Sequence, residues 1–420
     1  MTGVRQTRRP LAALLLLCLV PSLLEASAVI WGVAHGYTGE ALRDGLDFWA
    51  GGFLAWHGHA AMLSDPVAYR AFLAGLFGKL PVHLWSYPPN YLLLAALVGW
   101  LPPWPAVLAF DLFSLLLLAF VLRRAGKSGW FIAAMLASPV VLENALEHQN
   151  ATLMTALIGG GLLLIPRAPR LPGARGAPRS TGARGAPVLG GVLIGLATIK
   201  PQLGLVLPLV LLRRSRIATG CAALAAVALG GLSFAVFGTA VWAGFWQVTR
   251  PAMDNVLLTG QPPEFAGGLV SVFAACRSFG VHTALVIQGA ATLAAIALAA
   301  RCRSTPAALI LGALASPYLH PYDLMGAVLA TALLVEDRLT RGFAPGEAVL
   351  YFIAWFTPGL LPWTPYLAHG VPLLLLALLA SAMRSDGLAP CDSSPALPGS
   401  PASSAGRSPI PDPPGSTAPG

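Results

Sequence analysis

Apolar residues fall in long unbroken runs, with short polar punctuation between them. The runs cover Leu11 to about Ala34, then 88–101, 104–122, 129–142, 150–166, 188–212, 217–238, 281–300, 306–317, 323–335, 346–362 and 366–383. One bilayer crossing takes about 20 helical residues, so the longer runs predict membrane helices. Several runs are too short for that and adjoin Pro or Asn. This predicts broken or re-entrant helices, which are tolerated where they line a cavity. The pattern as a whole predicts an all-α polytopic membrane protein with about 10–12 membrane segments.

His35 to Tyr87 interrupts the apolar pattern. It mixes Glu40, Asp44, Asp47 and Asp65 with Arg43, Arg70 and Lys79. Trp49, Phe53, Trp56, Tyr69, Phe72 and Trp85 suit an interfacial helix. From about Arg384 the chain turns to Pro, Ser, Gly and Ala, a composition that cannot pack a core and predicts disorder. A second low-complexity stretch, Arg167 to Pro187, repeats GARGAP at 173–178 and 182–187. The expected organisation is a first membrane helix within 1–34, an outer loop at 35–87, a helical domain at 88–383 and a tail at 384–420. Ala26-Ser27-Ala28 also resembles a signal-peptide cleavage site. Retention is the favoured reading, because many spans follow.

Composition sharpens this. Of 420 residues, 56% are hydrophobic and only 10% are charged, against about 25% charged in soluble domains. A soluble domain and a disordered chain are both excluded. The net charge of +9 does not mark a nucleic-acid binder, because the 26 Lys and Arg punctuate apolar segments instead of forming one basic face. Five scattered cysteines make no CxxC pair, so neither a zinc site nor a disulfide framework is expected. No metal and no cofactor are expected.

The positive residues also predict a topology. They cluster at Arg123, Arg124 and Lys127, at Arg167–Arg184, at Arg213–Arg216, at Arg301–Arg303 and at Arg338–Arg341. If each cluster is cytoplasmic, the segments between them are hairpins. Their tips, Glu147-His148-Gln149-Asn150, the loop 239–280 and His320-Pro321-Tyr322-Asp323, then lie outside. One point conflicts: two crossings at 88–101 and 104–122 would place Arg123–Lys127 outside. Either 88–101 is re-entrant or the cluster breaks the rule.

Five places carry or border candidate chemistry. Asp47 lies soon after the first apolar run and could serve as a general base, although an Asp there can equally be a helix cap or a solvated charge. Asp44 lies three residues before it, and Asp44-x-x-Asp47 is not a metal–nucleotide Asp-x-Asp signature. Lys200, in Lys200-Pro201-Gln202, stands inside an apolar run, where a lysine costs about 2.5–3.5 kcal/mol to insert. It needs an anion or a water-filled cavity; otherwise it snorkels at a helix end or pairs with a buried acid, such as Asp111 or Glu143. His320 sits between two half-length apolar segments, flanked by Pro317 and Pro321, and could donate to a phosphate or hold a helix break. Glu147-His148-Gln149-Asn150 is either a polar hairpin tip or a site, and Tyr87-Pro88-Pro89-Asn90 reads first as a helix start.

These pieces, in this order, resemble glycosyltransferase family 87. The resemblance runs over about residues 40–335. It rests on Leu46-Asp47-Phe48-Trp49, Tyr87-Pro88-Pro89, and the Gln149-Asn150 turn, where His148 stands in place of the usual Gly. It rests further on a Gly-rich helix running into Lys200-Pro201-Gln202, and on Ser316-Pro317 with His320 downstream. The resemblance implies a GT-C-like fold. It implies transfer of a sugar, typically mannose, from a polyprenyl-phosphate donor to a lipid or glycan acceptor on the outer face of the plasma (inner) membrane. It casts Asp47 as base, with His320 as a second catalytic residue. Lys200, Gln202, His148, Gln149, Asn150, Tyr87 and Asp44 would then bind substrate. The rival function is a transporter or flippase of a lipid-linked sugar, which broken helices and a buried lysine would also suit. The long outer loop and the lack of an inverted repeat favour the enzyme.

Overall fold

A computed structural model describes residues 41–78, 80, 83–165, 186–261 and 268–385, with isolated positions between 27 and 35. The expected first membrane helix, most of the Arg-rich repeat and nearly all of the tail lie outside the described residues. Every regular element among the described residues is helical. The helices used below are α1 Gly45–Trp56, α2 Pro66–Phe77, α3 Pro89–Ala96, α4 Pro103–Arg124, α5 Gly129–Leu136 and α6 Pro139–Leu146. They continue with α7 Ala151–Leu164, α8 Pro187–Leu196, α9 Leu207–Arg214, α10 Arg216–Gly244 and α11 Val281–Ala299. The last are α12 Thr305–Ala315, α13 Met325–Arg341, α14 Glu347–Leu360 and α15 Val371–Ser385.

Local chemistry sets the starts. Proline opens α2, α3, α4, α6 and α8, where its missing N–H is not needed. Asp65 caps α2, accepting from the Val67 and Ala68 amides at 3.0 Å each. Ser128, Ser215 and Ser304 cap α5, α10 and α12 in the same way. Leu224, Val227, Val286, Leu293 and Leu373 are largely exposed on long helices, an apolar outside that suits lipid and not water.

The apolar runs divide into two kinds. Among the described residues, four helical stretches are long and apolar enough to cross a membrane: Pro103–Arg124, Arg216–Thr259, Val281–Ala299 and Pro365–Ser385. The bent pair α5–α6, at 47°, makes a fifth. The other runs form only shorter helices. Segment 188–212 is one of them, broken at Lys200 into α8 and α9 with 3₁₀ turns between. Its α8 runs alongside α10 in the same direction: a Cβ on Gly191 would meet Ala218, and one on Gly195 would meet Ala222. Then α9 returns to the start of α10. The ascent from Pro187 to Ile199 is about 20 Å, short of a core of about 30 Å. The segment is therefore a hairpin that enters and leaves at one end.

The same reading removes the conflict at 88–101. Helix α3 has only 8 residues and packs on α1. Gly99 approaches Gly52 so closely that an added Cβ would lie 2.2 Å from the Gly52 carbonyl carbon. The segment does not cross, so α4 alone carries the chain from the loop to Arg123–Lys127. Lys127 then pairs with Glu336, near the end of α13 that carries Arg338 and Arg341. The described positive clusters thus share one end of the bundle, and the loop 41–87 lies at the other.

This two-ended arrangement makes a labelling prediction. Cysteine placed at exposed His59 and cysteine placed at exposed Arg303, each in a protein without native cysteines, should react from opposite sides of sealed membranes. Reaction of both with one impermeant reagent from one side would refute the arrangement.

Candidate functional site

Three helix breaks and one loop meet at the end of the bundle opposite the positive clusters. The loop contributes α1, whose first turn carries Asp47 and whose preceding residue is Asp44. The breaks are Glu147–Asn150 between α6 and α7, Lys200 between α8 and α9, and Ser316–Leu324 between α12 and α13. Helix breaks leave backbone donors and acceptors without intrahelical partners, so polar side chains gather there.

Asp47 is buried and doubly bonded. Tyr69, from α2, donates its hydroxyl to Oδ1 at 2.6 Å. His83 places Nδ1 3.0 Å from Oδ2. Burial opposes the His83 charge, but the Asp47 carboxylate, by charge and hydrogen bond, outweighs it and holds the imidazole above its ordinary value. Asp44 turns to other partners. The Gln149 amide donates to its Oδ2 at 2.6 Å, and the Tyr87 hydroxyl donates to the Gln149 oxygen at 3.0 Å. Burial raises the Asp44 carboxyl above the usual range, more than the Gln149 hydrogen bond lowers it. Arg43 and Glu147 form an ion pair beside this contact.

Lys200 donates to Asp323 at 2.5 Å, with only 6% of its own side chain and none of the Asp323 side chain exposed. The second Asp323 oxygen accepts from the His320 amide at 3.2 Å. The His320 ring stacks on Tyr322 at 5.2 Å, and Lys200 lies 5.1 Å from the centre of the Tyr322 ring. Asn90, second residue of α3, donates to Thr198 at 3.3 Å and ties the Tyr87–Asn90 start to the Lys200 break. A narrow cleft lined mainly by apolar side chains, among them Met154, Ile158 and Leu309, lies beside Asp323.

The structure thus brings Asp44, Gln149 and Tyr87 into one connected group, and Lys200, Asp323 and His320 into another. Asn150 is buried next to Gln149, and Gln202 is half-buried just past Lys200. His148 pairs instead with Asp111, Nδ1 to Oδ2 at 2.7 Å. Two readings change. The acid beside Lys200 is Asp323, not Asp111 or Glu143, because the α12–α13 break brings Asp323 to the same depth. Tyr69 and His83 were missed: they are 22 and 36 residues from Asp47, and their only sequence mark is being polar in an aromatic-rich loop. Among the described residues, no group of three or more His, Cys, Asp or Glu is placed to hold a metal ion.

Comparison with known proteins gives one match. The model of glycosyltransferase family 87 fits residues 85–321, more than half of the chain. Tyr87, Gln149, Lys200 and His320 fall inside this stretch, while Asp44 and Asp47 precede it. No curated protein and no solved structure matches the chain.

Two predictions follow from the pairs. Lys200→Met leaves Asp323 buried and alone, which should destabilise the detergent-solubilised protein by about 3–5 kcal/mol, while a second change, Asp323→Leu, should recover most of the loss. Thermal unfolding checks this, and a double variant no better than the single one refutes the pairing. The His83 value is raised, so its link to Asp47 stabilises fully below the ordinary 6.5 and fades as pH rises through the raised value. The stability gap between wild type and His83→Gln should therefore be wider near about pH 6 than near about pH 9. A gap that does not change with pH would show that His83 stays neutral.

Proposed function

The chain belongs to glycosyltransferase family 87 and is a membrane glycosyltransferase, and we propose that it moves a hexose, mannose by resemblance, from a polyprenyl-phosphate donor to a lipid or glycan acceptor. The reaction takes place on the outer face of the plasma membrane, at the end of the bundle opposite the positive clusters. One observation carries this reading: carboxylates of the loop and a buried cation of a helix break converge at that end.

In the proposed reaction Asp47 takes the proton of the acceptor hydroxyl. The acceptor oxygen attacks the anomeric carbon in line, the bond from that carbon to the phosphate oxygen breaks, and polyprenyl phosphate leaves as an anion. A carboxylate has about four acceptor sites. Tyr69 and His83 use two at Asp47, which fixes its orientation and leaves acceptor sites for an acceptor hydroxyl. An ammonium has three donors, and Lys200 gives one to Asp323. The others can meet the charge that develops on the leaving phosphate. His320, set between its two aromatic neighbours, is the second candidate donor, and the mainly apolar cleft beside Asp323 suits an apolar chain. Gln149, Tyr87 and Asp44 form the polar wall facing the sugar, with Asn150 and Gln202 at its edge.

The decisive experiment incubates purified protein with radiolabelled polyprenyl-phosphate mannose and candidate lipid acceptors. Asp47→Asn should keep folding and lose about 10²–10⁴-fold in turnover, the usual worth of a general base. A fully active Asp47→Asn beside an inactive Asp44→Asn would move the base to Asp44. Activity in both would take the base out of this loop.

A further inference from the structure

The proposed reaction makes no use of the pair Asp111–His148. Asp111 lies within the apolar helix α4, with 12% of its side chain exposed. An acid in such a helix is costly and generally has a partner or a task. Its partner, His148, has a backbone of its own interest. Among the described residues, only two other than glycine have positive φ: Arg43 at 44° and His148 at 50°. Each directly precedes one member of the Asp44–Gln149 hydrogen bond. Glycine adopts this backbone freely, whereas a residue with a Cβ holds it only when its surroundings over-determine it.

The surroundings of His148 do so from three sides. Asp111 holds Nδ1 at 2.7 Å. Trp104, seven residues back along α4, meets the ring edge-on at 5.8 Å. Gly45 lies so close that a Cβ there would sit 2.7 Å from the His148 Cβ. The imidazole is thus pinned to α4, and the next residue is Gln149. The Gln149 amide must present nitrogen to Asp44 and oxygen to Tyr87, and a turn of the backbone at 148 would break both bonds.

We propose that Asp111 is a positioning residue: by anchoring the His148 ring it fixes the left-handed turn that aims Gln149 at Asp44 and Tyr87. The inference rests on reading the Asp44–Gln149 group as part of the transferase site. It also says that Asp111 matters only while residue 148 carries a side chain to anchor.

The test uses the full-length purified protein, the variants D111L, D111L/H148G, Q149A and D111L/Q149A, and polyprenyl-phosphate mannose as donor. Losing the acid makes α4 more apolar, so D111L should still insert. It should lower kcat at least about tenfold at temperatures where the protein stays folded, because a left-handed His without its anchor relaxes. In D111L/H148G glycine adopts the turn unaided and no buried acid is left alone, so kcat should recover to within about threefold of wild type. In the Q149A background, D111L should cost little more, since its effect passes through Gln149. A purely structural role would not be masked in this way. The inference is overturned if D111L/H148G is no better than D111L, or if the D111L and Q149A losses multiply. A second readout needs no substrate: hydrogen–deuterium exchange over residues 144–152 should be faster in D111L than in wild type. If wild type fails to transfer mannose, the functional reading fails, while unchanged exchange in D111L would sink the anchoring itself.

Discussion

The ion pair between Lys200 and Asp323 is the constraint around which the rest of the site is arranged. Neither partner can stay charged in an apolar interior alone, and their attraction compensates desolvation only when the geometry is good and the remaining lone pairs are satisfied. Both conditions shape the fold. Lys200 reaches the pair only because α8 stops before the membrane core is crossed. Asp323 reaches it only because α12 and α13 are separated by Ser316–Leu324. The second carboxylate oxygen is then occupied by the His320 amide, which orients the whole break. Two half-length hairpins rising from one end of the bundle are joined at their tips by a single buried contact.

Hairpins of this kind need close helix contacts, because there is little hydrophobic drive between helices in lipid. The chain supplies small residues at those contacts. Gly161 of α7 and Gly190 of α8 each approach the other's carbonyl oxygen within 3 Å of where a Cβ would stand. Gly191 and Gly195 do the same against α10. Any larger side chain would push α8 outward and carry Lys200 away from Asp323. The Gly-rich stretch before Lys200 is therefore more than a composition bias: it sets the depth and position of the charge.

Much of the fold was legible because membranes impose simple rules. Apolar runs marked the helices, and the positive clusters predicted the hairpins at 188–212 and at the α12–α13 break; run length alone did not, because 188–212 is as long as a crossing helix. Lys200 stood out as a cation in an apolar run. What stayed hidden was pairing across distance. Asp323 opens an apolar segment and carries no mark that it faces a lysine 123 residues away. His83 was one of eight histidines, all assigned to the outer side and otherwise alike in sequence. Asp111 was visible as an acid in an apolar helix and stood only as one of two candidate partners for Lys200, since a helical pattern gives the face of a residue and not the loop that comes down on it. The left-handed backbone at His148 has no mark in the residue itself, because histidine seldom adopts it.

The two loop carboxylates show why position alone does not assign a role. Asp44 and Asp47 are three residues apart on the same element, yet their surroundings separate them. Asp44 faces a neutral amide, and burial makes it harder to ionise. Asp47 faces a histidine that its own charge keeps protonated to higher pH, together with a tyrosine that can only donate to it. A site that must accept one proton from an alcohol gains from one carboxylate oriented by two fixed donors, with the neighbouring acid turned to another partner. The division follows from which helix break each residue meets: Asp44 meets the Gln149 tip, whose amide is aimed by the turn at 148, and Asp47 meets only its own loop. Packing of the Gln149 tip against α1 thus sets the surroundings of Asp44, while the loop alone sets those of Asp47.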